Sequence, residues 1–136
     1  MESIEKALSE TQVNEIMTKA LITVDPATTL FQISKMMEQG RIGAIIVKKD
    51  GNPAGIITDR DFAIKVATQK RSRDTQVDNV ASYPLLTINQ NDSILTAANV
   101  MTEKKVRKLI VLDNGNVTGI ITSTDLVSHI ASVKNN

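Results

Sequence analysis

The sequence contains no cysteine, which removes disulfides, thiolate metal sites and cysteine nucleophiles from consideration and fits an intracellular protein. It has no tryptophan, one tyrosine and two phenylalanines, so there is little aromatic surface on which to stack nucleic-acid bases. The single histidine, His129, has no cysteine or second histidine near it and is expected to play no metal or catalytic part. Sixteen Lys and Arg stand against fifteen Asp and Glu, a formal charge of +1, and no overall field drives the chain onto nucleic acid or membrane. The opening MESIEKALSE is charged and lacks an apolar centre, and no apolar run approaches the length that spans a bilayer. A soluble cytoplasmic protein is expected. No nucleophile–base pair or metal set is evident, so it is not expected to be an enzyme.

What is present is a repeat. Gly55 to Asp61 reads GIITDRD, and Gly119 to Asp125 reads GIITSTD. In each, an apolar run ends in Thr (Thr58, Thr122) and an Asp follows three residues later (Asp61, Asp125). The Gly and the Ile pair suit a buried strand, and the Asp falls in a first helical turn, where the macrodipole favours an anion. A strand end feeding a helix start leaves backbone N–H groups beside a hydroxyl and a carboxylate, a setting suited to a sugar phosphate. The same offset of 64 positions aligns Val13 with Val77, Leu21 with Leu85, Met37 with Met101 and Gly51-Asn52 with Gly115-Asn116, without a gap. Fixed-period similarity of this kind marks duplicated, stacked units. The organisation expected is an extension at 1–12, a repeat at 13–72, a connector at 73–76 within the polar stretch 69–76, a second repeat at 77–133 and a tail at 134–136.

In the first repeat, Leu21 to Val24 reads as a short strand and Thr28 or Thr29 caps a helix with Leu30, Ile33, Met36 and Met37 at helical spacing. Gly40 is expected to stop it. Ile42 to Val47 is a strand covered on both faces, Asp50-Gly51-Asn52 a tight turn, Pro53 to Thr58 a third strand and Asp59 to Thr68 a second helix. The second repeat follows the same plan, with Asp92 as the helix cap. Ile4, Ala7 and Leu8 suggest an amphipathic helix at the front. The fold class is α+β: two pseudo-twofold related β-α-β-β-α repeats, each a small three-stranded sheet with helices, packed sheet to sheet because sixty residues alone bury only a marginal core.

The openings VNEIMTKALITVDPATTL and VDNVASYPLLTINQNDSIL, the central strands IGAIIVKKDGN and VRKLIVLDNGN, and the closing GIITDRD and GIITSTD together resemble a tandem of cystathionine-β-synthase (CBS) domains, a Bateman module, over about residues 13 to 133. The resemblance implies binding of adenosine-containing ligands such as AMP, ADP or ATP, less often S-adenosylmethionine or a dinucleotide, and disc-shaped dimers of modules. By that analogy Asp61 works with Ser82, Pro84, Leu85 and Lys108, and Asp125 with Thr18, Ala20, Leu21, Ile22 and Arg107.

The chemistry stands beside the analogy. An ionised Asp accepts hydrogen bonds from both hydroxyls of a ribose, so Asp61 and Asp125 are natural sugar anchors, with Thr58 and Thr122 adding hydroxyls. Adenine needs an apolar slot, for which Leu21-Ile22 and Leu85-Leu86 serve, with Ile42-Gly43 and Val106 as walls. Arg60, Arg107 and Lys108 are candidate phosphate cations. Because Ser123-Thr124 replaces Asp59-Arg60 in the second copy and Arg107-Lys108 stands where the first has Gly43-Ala44, the Asp61 pocket can gather Arg60 and Lys108 against Arg107 alone for Asp125, and is expected to be the better occupied. The bland readings are a plain Thr-x-x-Asp helix cap, Met36, Met37 and Met101 as core filler, Lys70-Arg71-Arg73 as a solvated connector, and Glu103-Lys104-Lys105 as a helix end. Three functions remain distinct: an adenosine-nucleotide sensor acting through a homodimer on an effector protein in trans, a purely structural dimerisation module, and a nucleic-acid binder, the last disfavoured by charge and composition.

Overall fold

A computed structural model describes residues 3–19 and 21–134 of the chain. Its elements in order are α1 (Ile4–Glu10), β1 (Thr23–Val24), α2 (Leu30–Gly40), β2 (Ala44–Lys49), β3 (Asn52–Thr58), α3 (Asp59–Asp61), β4 (Thr87–Asn89), α4 (Ile94–Lys104), β5 (Lys108–Asp113), β6 (Asn116–Thr122) and α5 (Ser123–Lys134), with short 3-10 turns at Val13–Glu15 and Val77–Asn79. This is an α+β fold with two three-stranded sheets, ordered β1-β2-β3 and β4-β5-β6. No helix among the described residues is long and apolar enough to cross a membrane.

The two sheets are built alike. β1 pairs parallel to β2, and β2 pairs antiparallel to β3, with Ala44 opposite Thr58. β4, β5 and β6 repeat this, with Lys108 opposite Thr122. Asp50 and Gly51 both take positive φ, 52° and 79°, as do Asn114 and Gly115 at 51° and 82°. Two successive positive-φ residues make the turn whose twist matches a right-handed hairpin, which is why Asp-Gly and Asn-Gly stand there.

The chain divides into two compact units that are not the two sequence repeats. One is Leu21–Leu85, the other Met1–Ala20 together with Leu86–Asn136. Each sheet is therefore packed by the segment that leads into the other sheet's repeat. In the first unit, Val77 and Val80 join Val24, Leu30, Ile33, Ile45, Val47 and Ile57 in one buried cluster. In the second, Val13 joins Ile88, Ile94, Ala97, Met101, Leu109, Val111, Ile121 and Leu126. Matching backbone bonds hold the exchanged segments. Val77 N donates to Thr28 O at 2.7 Å and Leu30 N to Thr75 O at 2.9 Å, while Val13 N donates to Asp92 O at 2.8 Å and Ile94 N to Thr11 O at 2.9 Å. Helix α1 packs on α4 and α5, and its Leu8 touches the second cluster. Ile45, Ile46 and Val47 are consecutive and all buried, so both faces of β2 are covered as expected.

Several local expectations are corrected. The α4 cap is Ser93, whose hydroxyl accepts from Thr96 N at 3.1 Å; Asp92 lies one residue too early and its carboxylate accepts from Asn89 N instead. On α2, where either Thr28 or Thr29 is expected, the cap is Thr29. Gly40 is the last helical residue of α2 but not its stop signal: the left-handed residue that terminates the helix is Arg41, φ 52°, whose N–H donates to Met37 O. Lys105, φ 57°, does the same for α4. The helix foreseen over 59–68 is a single turn, α3, continued by a wider π-helical stretch at Phe62–Ala67. The polar connector is exposed, yet its backbone also caps α2, since Phe31 N donates to Arg73 O at 2.9 Å, and the Arg73 guanidinium lies 3.9 Å from the Phe31 ring centroid. The bonds it forms explain why that stretch is more than a solvated strap.

The motif glycines have a packing reason. A Cβ on Gly55 would meet the Tyr83 ring at 2.5 Å and Ser82 O at 2.8 Å; one on Gly119 would meet Met17 Sδ and Thr18 O, both at 2.8 Å. Backbone oxygens cannot swing aside as a side chain can. Gly55→Ala and Gly119→Ala are each expected to lower stability by about 1–3 kcal/mol, the usual cost of overpacking, seen as a lower urea midpoint; an unchanged midpoint for either would mean the exchanged segment yields freely.

Tyr83 supplies a pH signature. Burial, then the hydrogen bond and charge of Asp78, push its phenol up to about 12 from 10.0; the hydroxyl donates to Asp78 Oδ1 at 2.8 Å. Below pH 10 the phenol is neutral in both folded and unfolded chains and its contribution is intact. Between about 10 and 12 the unfolded chain loses the proton and the folded chain keeps it, so stability falls as pH rises. Tyr83→Phe is expected to lose stability less steeply than the parent across that window, as read from denaturation midpoints taken every half unit of pH. Parallel curves would remove this assignment.

Candidate functional site

Each acidic corner is a strand end whose Thr caps the helix that follows. In the first unit, Thr58 Oγ1 accepts from Asp61 N at 3.3 Å, and Asp61 Oδ2 accepts from Thr58 N at 2.7 Å and from Thr58 Oγ1 at 3.1 Å. This reciprocal capping box satisfies two orphan donors and fixes the carboxylate against the strand end. The other carboxylate oxygen, Oδ1, lies 3.4 Å from Lys65 Nζ, one helical turn on. Lys65 also donates to Ser82 Oγ at 2.8 Å and to Val80 O at 3.2 Å. Ser82 is brought there because its segment runs antiparallel beside β3, exchanging two backbone bonds with Ile56 at 2.8 and 3.0 Å. Leu85 N then donates to Ala54 O at 3.0 Å.

The second corner repeats the frame with different furniture. Thr122 Oγ1 accepts from Asp125 N at 3.2 Å and Asp125 Oδ2 accepts from Thr122 N at 2.8 Å. Among the described residues Asp125 Oδ1 makes no hydrogen bond. Thr18 exchanges two backbone bonds with Ile120, both 2.9 Å, in the manner of Ser82 with Ile56. Where the first unit has Lys65, the second has His129, whose Nε2 lies 3.4 Å from Thr11 Oγ1.

The structure thus gathers Thr58, Asp61 and Ser82 in one unit, with Pro84 exposed and Leu85 half-buried in the adjoining segment. Thr18, Thr122 and Asp125 lie together in the other, with Arg107 exposed and its carbonyl accepting from Ser123 N at 2.9 Å. Lys108 is the register partner of Thr122 and belongs to that same unit, whereas Leu21 and Ile22 belong to the unit of Asp61. Ile22 is 37% exposed and Leu21 half-buried. Ile42 and Val106 are half-buried and each packs against the core of its own unit. Arg60 is exposed. Ala20 lies outside the described residues. Sequence reasoning missed Lys65, although a Lys four residues after an Asp on a helix is a pattern that pairs them.

No group of three or more His, Asp or Glu among the described residues is placed to hold a metal ion. A shallow depression of about 490 Å³ in the second unit, lined by Asn14, Met17, Lys19, Gln90 and Thr118, contains neither Thr122 nor Asp125. At the matching positions of the first unit stand Asp78 and Tyr83, and there the tyrosine ring occupies the space over Gly55.

The family model for the CBS domain matches residues 13–67 and 77–132. The chain is 35% identical over 114 residues to the CBS domain-containing protein YhcV of Bacillus subtilis, covering 84% of this chain and 81% of that one. Other curated relatives are longer, the match spanning 60% and 30% of two archaeal proteins. Among solved structures, a putative signal-transduction protein with CBS domains from Burkholderia ambifaria superposes with a TM-score of 0.83 at 31% identity, over 90% of this chain and 95% of that one. The CBS domain pair of protein MJ0100, in complex with 5′-methylthioadenosine and S-adenosyl-L-methionine, shares the fold with a TM-score of 0.79 at 24% identity, over 91% and 98% of the two chains. With two family matches that together cover most of its length, this chain belongs to the CBS domain family and carries the domain as a tandem pair.

Proposed function

We propose that the chain is a cytoplasmic regulatory module that binds an adenosine nucleotide of the AMP, ADP or ATP class at its Thr-x-x-Asp corners. The observation that carries this is the corner itself, built twice. In both copies one carboxylate oxygen is held at the strand end; the other, which lies 3.4 Å from Lys65 Nζ at Asp61 and makes no hydrogen bond among the described residues at Asp125, is the acceptor we assign to a ribose diol. A CBS pair of the same fold that holds two adenosine compounds supports the reading. Binding shifts the packing of a homodimer and changes its contact with an effector protein in trans. The module itself carries out no catalysis.

The capping boxes favour one competing reading, in which Asp61 and Asp125 serve only to start their helices and the pair is a dimerisation scaffold. The two readings separate by thermal shift. A ligand that binds only the folded state raises apparent stability with concentration, so millimolar AMP or ATP is expected to raise the melting temperature, and mass spectrometry of the purified, denatured protein is expected to find a released nucleotide. No shift and no released nucleotide would leave the scaffold.

A further inference from the structure

Resting on that nucleotide reading, we propose that Lys65 is the residue that makes the Asp61 corner selective for a phosphorylated adenosine ligand over a neutral nucleoside. The turn that begins this helix holds two carboxylates, Asp59 and Asp61, beside Arg60. A phosphate brought to a site anchored by Asp61 meets a like charge, and in the partly shielded setting of a corner where the Asp61 side chain is 13% exposed that repulsion is poorly screened. Lys65 offsets it. Its side chain is 36% exposed, and the aim of its ammonium is set by Ser82 Oγ at 2.8 Å and Val80 O at 3.2 Å.

The third contact, to Asp61 Oδ1, is the longest at 3.4 Å. An ammonium has three donors. Two are spent on the exchanged segment, and the loosely held third can turn to a phosphate oxygen while a ribose hydroxyl takes its place on Oδ1. Lys65 thereby ties the sugar anchor to the phosphate end of one ligand. The twin position in the second unit is His129, which contacts Thr11 rather than a strand-side hydroxyl equivalent to Ser82, so the device belongs to one corner alone.

The test measures AMP and adenosine binding by calorimetry in an Asp125→Ala background, which leaves the Asp61 corner to be read, with and without Lys65→Gln. Loss of one charge-assisted bond predicts roughly tenfold or more weaker AMP binding, with adenosine changed less than about twofold and Lys65→Arg restoring most of the AMP affinity. Melting curves without ligand establish that each variant is folded. Equal weakening of AMP and adenosine would reduce Lys65 to a structural brace, and tighter AMP binding would make it an obstruction; either overturns the proposal while nucleotide binding stands. Binding of neither compound before Lys65 is changed would remove the nucleotide reading of this corner, and this proposal with it.

Discussion

Asp61→Ala is expected to weaken AMP binding by about two to four orders of magnitude, because it removes a carboxylate that offers two charge-assisted bonds to a ribose diol, each contributing about 1.5–3 kcal/mol. Asp125→Ala is expected to have the smaller effect on AMP. The ordering follows from the cations. Asp61 has Lys65 at 3.4 Å, and no such pair exists for Asp125 among the described residues. Truncation also deletes a cap, since Thr58 N donates to Asp61 Oδ2 at 2.7 Å, and losing a cap costs about 0.5–2 kcal/mol of stability. Asp61→Asn separates the two effects, as its amide oxygen still accepts from Thr58 N while the charge is gone. Isothermal titration of the three variants decides the matter; equal loss from Asp61→Ala and Asp125→Ala would cancel the ranking of the corners.

Ile33→Ala is expected to lower stability by about 2–5 kcal/mol, the range for emptying a fully buried aliphatic site. Ile33 is 0% exposed, in a cluster with Leu30, Ile45, Val47 and Ile57. That is a large share of the roughly 5–15 kcal/mol by which a domain is stable. Its twin in the second unit is Ala97, also 0% exposed, in a buried cluster with Met101 and Leu126. Copying the first unit into the second with Ala97→Ile is therefore expected to destabilise as well, by about 1–3 kcal/mol of overpacking. Urea midpoints of the two single variants give the result. If Ala97→Ile stabilised the protein, the two cores would have to be interchangeable, and the neighbouring side chains argue that they are not.

The sequence by itself determined the repeat, the α+β class, the hairpin turns and the two Thr-x-x-Asp corners. Those signals act over a few residues: a positive φ needs Asp-Gly or Asn-Gly, and a strand that ends in Thr with Asp three residues on closes its own capping box. Local errors were of the same reach. Ser93 rather than Asp92 capped α4, and Arg41 rather than Gly40 took the left-handed position, because adjacent residues of similar chemistry compete for one geometric slot. The resemblance already paired Asp61 with Ser82 and Asp125 with Thr18, but only the tertiary structure decided the contacts by which those segments pack on their sheets. That packing brought Ser82 and Val80 to Lys65, set Tyr83 over Gly55, and made Thr18 the neighbour of Ile120. The physical reason is that local pattern specifies an element and its buried face, whereas the partner of that face is set by backbone bonds and close approaches between residues far apart in the chain, which no periodicity encodes.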